Sequence, residues 1–364
     1  MSVSALRVGR LREMLAVEAN VSVLVTDLND VRYLTGFTGS NGWLLITEST
    51  VRLITDGRYT GQARAQTEVD VVEARTITEM ITEVVADLDR SHSTRLMFQS
   101  SQLTVDLFDR LKSVSDRLDP IGSRLADLRR AKDPAELAAI ERAVRCADRA
   151  LADVCPSIDD SMTEKDVRDE LEYRMRKHGA DGPSYDTIVA SGPVNSALPH
   201  HRPSSRRLEE GDLIVIDVGA LVDGYHSDLT RTFALGRCSE TLRDRYEIVR
   251  EAQRRGVNAV RAGVPAREVD AVCREVFRSH DLEDDFVHGT GHGVGLVIHE
   301  EPFLGSTSTA ILSTGDVVTV EPGLYRVGLG GVRIEDLLVV DETGSRVLST
   351  FPKDLICLPS RPTI

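Results

Sequence analysis

The chain has 364 residues, 41% hydrophobic and 28% charged, an ordinary balance for a folded globular protein and enough length for two domains with cores of their own. A net charge of −14, without basic patches interleaved with aromatics, argues against nucleic acid as a partner. No apolar run is long enough to span a bilayer, and Arg7, Arg10, Arg12 and Glu13 interrupt any signal-peptide core. Five scattered cysteines, Cys146, Cys155, Cys238, Cys273 and Cys357, fit core packing in a reducing compartment better than a disulfide framework. A cytoplasmic protein with no membrane partner is the expectation.

In chain order, residues 1–127 predict a small α/β domain. Short β-rich runs at 21–25, 43–46, 51–54 and 96–98 alternate with helical patterns, one of which carries Ile77, Ile81, Val84 and Leu88 on a single face. Residues 119–123, Asp-Pro-Ile-Gly-Ser, read as a break in structure. A second domain, 128–364, opens with a helix near Asp133, where Asp caps, Pro134 fits the first turn and Glu136 sits three residues on. Leu137, Ile140, Val144 and Leu151 give that helix its buried stripe. Helical patterns follow at 163–178, closed by Gly179, and at 265–280, each ahead of a strand-like segment.

Those two segments repeat one another. Residues 211–219 read Gly-Asp-Leu-Ile-Val-Ile-Asp-Val-Gly and residues 315–323 read Gly-Asp-Val-Val-Thr-Val-Glu-Pro-Gly, so Asp217 and Glu321 occupy the same place. Gly-Asp turn chemistry followed by Val and Ile predicts a buried strand that delivers a carboxylate at its far end. A carboxylate there is unfavourable unless a cation meets it. Asp228 follows Asp217 by eleven residues and Glu335 follows Glu321 by fourteen, each expected on the next strand beyond a Gly-containing turn. Between the halves, His288, His292 and His299 are threaded through glycines. Four carboxylates and at least one imidazole suit two divalent cations, with oxygen-rich ligation favouring Mn, Co or Zn. Each acid alone would read as a surface or turn residue; it is the joint set, arranged by a repeat, that points to metal. The glycines at 289, 291 and 293 lack the spacing of a dinucleotide-binding fingerprint.

Residues 130–364 resemble the pita-bread metallopeptidases, which include methionine aminopeptidase, aminopeptidase P and prolidase. The resemblance implies a catalytic domain with an internal pseudo-two-fold repeat. It also implies the metal ligands Asp217, Asp228, His292, Glu321 and Glu335, with Asp228 and Glu335 bridging two divalent ions per subunit, Mn being the first choice and Co or Zn the others. Two such ions roughly 3.5–4 Å apart lower the pKa of a shared water toward about 7 and polarise a carbonyl. The expected reaction is peptide hydrolysis by the bridging hydroxide, with Glu321 moving its proton and His299, beside His292, stabilising the oxyanion.

His200, His288 and Arg333 resemble the substrate-binding and catalytic set of the proline-specific branch. Residues 33–41, Tyr-Leu-Thr-Gly-Phe-Thr-Gly-Ser-Asn, and 55–59, Thr-Asp-Gly-Arg-Tyr, resemble the creatinase-type N-terminal domain of prolidases and aminopeptidase P. That implies a homodimer, whereas turn formation and local pairing account for Asn41, Asp56 and Arg58 without it. One departure stands out: residues 299–325 contain no arginine, and Phe303 follows Glu-Glu-Pro, where some prolidases carry a carboxylate-gripping arginine. Arg333, His288 or a partner-subunit residue is left to serve, or longer peptides are accepted. The leading expectation is a metal-dependent Xaa-Pro dipeptidase. The alternatives are an aminopeptidase P acting on longer Xaa-Pro peptides and a catalytically idle metal-binding scaffold.

Overall fold

The computed structural model describes residues 2–113 and 118–360, which divide into two units, Met1–Arg129 and Arg130–Ile364. In the first unit a six-stranded sheet runs in the order Asp70–Glu73, Val51–Thr55, Trp43–Ile46, Val21–Val25, Arg95–Phe98, Leu118–Pro120. Its two central strands are buried along their whole length, which is why they read as continuous apolar runs rather than alternating ones. The helix Ile77–Arg90 covers the sheet with Met80, Ile81, Val84 and Leu88, packed against Leu24, Trp43, Leu45 and Phe98. Ile77, expected on that face, is instead 44% exposed, and Met80 fills the first buried position. Two edge strands depart from expectation. Asp70–Glu73 is polar and lies at one edge; Leu118–Pro120 pairs in parallel with Arg95–Phe98 where a break was expected. Proline, lacking an N–H, is tolerated on such an edge. Asn41 Nδ2 donates to Asp56 (2.6 Å), and Arg58 donates to both Asp56 oxygens (2.9 Å each).

The second unit is built twice over. Its first half holds the antiparallel strands Ile188–Ser191, Leu213–Asp217 and Thr230–Leu235 in a four-stranded sheet completed by Cys357–Leu358. Its second half holds Gly291–Gly293, Val317–Val320 and Asp336–Val340 in a five-stranded sheet flanked by Glu300–Leu304 and Ser345–Val347. The helices Pro134–Val154 and Glu164–Lys177 cover the first half through Ala147, Leu151, Val167 and Leu171, which meet Ile214, Ile216 and Phe233. The helices Glu240–Ala259 and Ala266–Arg278 serve the second half, with Val257, Val269 and Ala266 against Val318, Val320 and Leu338. Leu213–Asp217 is covered on both faces, Ile214 and Ile216 on one and Val215 against Ile188 and Ala190 on the other. Thr230 and Thr232 of the first half bond to the chain just before Asp336–Val340: Glu335 N donates to Thr230 O (3.1 Å), and Thr232 Oγ1 donates to Arg333 O (2.8 Å).

The helix at Pro134 begins as its sequence predicts. Asp133 accepts from Ala135 N and Glu136 N (2.9 Å each), and Glu136 accepts from Asp133 N (3.0 Å), a closed capping box. Asp133→Ala is expected to destabilise the protein by about 1 kcal/mol. Urea denaturation would check this, and an unchanged midpoint would contradict it.

Candidate metal centre

Register brings the acids together. Asp217 pairs with Thr230 across the first hairpin and Val320 with Asp336 across the second, so Asp217 and Glu321 end equivalent strands. Asp228 and Glu335 do not lie on the following strands, as expected, but in the short irregular links just before them. There the backbone carries no ladder and the side chains turn inward. Gly219 and Gly291 let the chains close up: a Cβ on Gly219 would run into Ser227 O, and one on Gly291 into Thr319 O.

Asp228, His292 and Glu335 each place one ligand atom within 4.8 Å of the others. His292 Nε2 stands 3.6 Å from Asp228 Oδ2 and 3.4 Å from Glu321 Oε1. These separations are long for hydrogen bonds, but they suit ligands sharing one cation at bond lengths of about 2.0–2.2 Å. His292 Nδ1–H donates to Gly293 O (3.1 Å), which fixes the tautomer and leaves the Nε2 lone pair facing the acids. Glu321 accepts from Thr319 Oγ1 (3.3 Å), whose oxygen accepts from His292 N (3.0 Å). Glu335 Oε2 accepts from Thr230 Oγ1 (2.7 Å), while its Oε1 is buried with no hydrogen-bond partner among the described residues. An orphaned buried carboxylate oxygen is costly unless a cation completes it, so the donor set fits divalent metal.

Asp217 is joined to this group through Tyr185, whose hydroxyl lies against Asp217 Oδ1 and 2.5 Å from Asp228 Oδ1. Asp217 Oδ2 accepts from Arg333 Nη2 (2.6 Å). Arg333 also donates to Tyr325 OH (2.8 Å), Thr230 Oγ1 (3.1 Å) and Pro199 O (3.3 Å) and is 2% exposed. His288 donates through Nδ1 to Gly289 O (2.8 Å) and accepts at Nε2 from Tyr325 OH (2.9 Å). Arg333 and His288 were expected to face substrate. Both line the cavity described below, and Tyr325 OH links them there.

Asp217, Asp228, His292, Glu321, Glu335, His200, His288, His299 and Arg333 all line one cavity of about 540 Å³, within the size range of small-ligand sites. His299 is exposed to it, its ring 4.4 Å from that of His292 in an edge-on arrangement. Sequence reading missed Tyr185, Thr230 and Tyr325, which the spacing of ligand types does not mark.

Without a cation, burial and then repulsion from Asp217 and Glu321 hold Asp228 well above the usual carboxylate range; burial and then Asp228 do the same to Glu335. Burial raises Glu321 to about 8 despite the pull of Arg333. Burial, reinforced by His299, lowers His292 to about 4, and burial with Arg333 lowers His288 to about 4. The signs are separable by pH. Above about pH 7.5 the histidines are almost wholly neutral in both folded and unfolded chains, so the carboxylates dominate. The folded chain retains protons there that the unfolded chain has lost, and its stability falls as pH rises. Metal-stripped protein is therefore expected to melt lower at pH 8.5 than at pH 7.5, with a larger gain from added Mn at pH 8.5. Melting curves at the two pH values check this, and a flat or rising profile would contradict it.

Known proteins resemble this chain in sequence and fold. Residues 138–342 match the model of metallopeptidase family M24, and residues 7–131 match the creatinase/prolidase N-terminal domain. A structure of an Xaa-Pro dipeptidase from Bacillus anthracis superposes with a TM-score of 0.93 at 39% identity, covering 98% of this chain and 100% of that one. An X-Pro aminopeptidase structure from Thermotoga maritima gives 0.89 at 34% identity, covering 96% and 99%. The Xaa-Pro dipeptidase of Pyrococcus furiosus is 42% identical over 245 residues, 67% of this chain and 70% of that protein. The repeated hairpins, the acids at their ends and these matches lead to one conclusion: the chain belongs to metallopeptidase family M24, with a pita-bread catalytic unit and a creatinase-type N-terminal unit.

Proposed function

We propose that this protein is an Xaa-Pro dipeptidase that hydrolyses the bond before proline, with Asp217, Asp228, His292, Glu321 and Glu335 holding two divalent ions, Mn by preference. The observation that carries the reading is the cluster of acids around His292 Nε2, one with an orphaned oxygen, opening onto a peptide-sized cavity. The dipeptidase relatives support the substrate class. Bound at this site, divalent metal supplies an acidified water and polarises the scissile carbonyl.

The chain's own residues do the rest. Glu321, with one oxygen held by Thr319, moves a proton between water and the leaving nitrogen. His299, kept below the usual imidazole range by desolvation and by His200, offers a neutral N–H donor to the developing oxyanion. His200 lines the same cavity and contacts substrate. Tyr325 ties Arg333 to His288, and Arg333 holds Asp217 in place. We read the protein as a cytoplasmic homodimer; among the described residues no helix is long and apolar enough to cross a membrane.

An aminopeptidase P activity has one observation in its favour. Phe303, 46% exposed, lines the cavity where an arginine would limit substrates to dipeptides. Hydrolysis of Ala-Pro, Ala-Pro-Ala and Ala-Ala by Mn-loaded protein tests the two. Cleavage of Ala-Pro in preference to both others supports the dipeptidase; preference for Ala-Pro-Ala overturns it in favour of aminopeptidase P.

A further inference from the structure

A dipeptide differs from every longer peptide in presenting a free carboxylate one residue beyond the scissile bond. A site that selects dipeptides must meet that charge inside the cavity, because an unpaired carboxylate loses its hydration there. The described residues lining the cavity include two fixed cations, Arg333 and Arg202. Arg333 is 2% exposed and bound to Asp217, Tyr325, Thr230 and Pro199. Residues 299–325 supply no lysine or arginine. Arg202 is different: its side chain is 88% exposed, and its ion pair with Asp186, itself 89% exposed, spans 3.8 Å, beyond hydrogen-bond distance. So exposed a pair contributes little and is readily exchanged for a better-placed anion.

The segment that carries Arg202 is fixed from below. Glu164, fully buried at the start of its helix, accepts hydrogen bonds from Ser191 N and Oγ (2.8 and 2.7 Å), Asn195 Nδ2 (3.0 Å), His201 Nε2 (2.8 Å), and Ser204 N and Oγ (2.9 and 2.6 Å). These bonds tie both ends of the stretch 191–204 and the residue next to Arg202. The backbone is thereby held while the guanidinium stays free at the cavity wall, a rigid base with an adaptable tip.

We propose that Arg202 receives the α-carboxylate of the dipeptide through its planar guanidinium and so sets the preference for dipeptides, a proposal that rests on the dipeptidase reading above. Asp186 holds Arg202 loosely when no substrate is bound.

The test compares KM and kcat for Ala-Pro, Ala-Pro-amide and Ala-Pro-Ala in Mn-loaded wild type, Arg202→Gln, Arg202→Lys and Asp186→Asn. Arg202→Gln is expected to raise KM for Ala-Pro about 5–10-fold with kcat within about 2-fold, and to leave the amide unchanged. Arg202→Lys should recover part of the loss, and Asp186→Asn should leave KM equal or lower. If wild type prefers Ala-Pro but Arg202→Gln shifts dipeptide and amide alike, or neither, Arg202 is not the anchor and the dipeptidase reading survives. If wild type prefers Ala-Pro-Ala, that reading fails and the proposal fails with it.

Discussion

Glu321→Gln is expected to lower kcat for Ala-Pro by about 10²–10⁴-fold at saturating Mn, because an amide can neither accept nor return the proton. The same change is expected to stabilise the metal-stripped protein at pH 8. Glu321 adds to the charge burden on Asp228 and Glu335, and its own carboxyl, raised to about 8 by burial, has lost about half of its protons at that pH. A neutral amide of the same shape removes the repulsion while its oxygen still meets Thr319 Oγ1. Lost activity with gained stability is the trade-off of a site that carries strain for function. Kinetics and melting curves on one preparation check both signs. A near-normal rate would remove Glu321 from proton transfer.

Arg333→Met is expected to cost about 3–5 kcal/mol of stability, since it leaves the Asp217 carboxylate without its buried cation. The guanidinium makes four hydrogen bonds, joining Asp217 on one strand to Thr230 on its partner and to Tyr325. Metal affinity should fall about 10–100-fold with Asp217 unsupported. Arg333→Lys should recover some stability but not the orientation of Asp217, because an ammonium cannot reproduce the planar fork. Denaturant midpoints and Mn titration provide the readouts. Were the variant to keep its stability and Mn affinity and change KM alone, Arg333 would be a substrate contact instead.

The repeat made the fold legible. Two Gly-Asp starts, two apolar runs and two terminal acids can be found in a string of letters, and they carry the resemblance that implies the family and its pita-bread architecture. The capping box at Asp133 was equally open to reading, since every group in it lies within three residues. What escaped depends on contacts far apart in sequence. Thr230 supports Glu335 across 105 residues, and Tyr325 reaches His288 across 37, so no local spacing reveals either. Arg333 and His288 were recognisable as belonging near the site, but their orientation is set by Tyr325 and Asp217. The acids at 228 and 335 read as strand residues because each stands beyond a Gly-containing turn, while the ladders begin at Thr230 and Asp336. The strands Asp70–Glu73 and Leu118–Pro120 were missed because edge strands carry charge and proline that would disqualify a central strand.

The most direct test of the metallopeptidase account is stepwise reloading of chelator-stripped protein with Mn while hydrolysis of Ala-Pro is followed. The account predicts no turnover in the stripped protein and activity that rises to saturation at two Mn per chain. Full activity after verified removal of metal, or saturation by Mn without hydrolysis of any Xaa-Pro peptide, would contradict it.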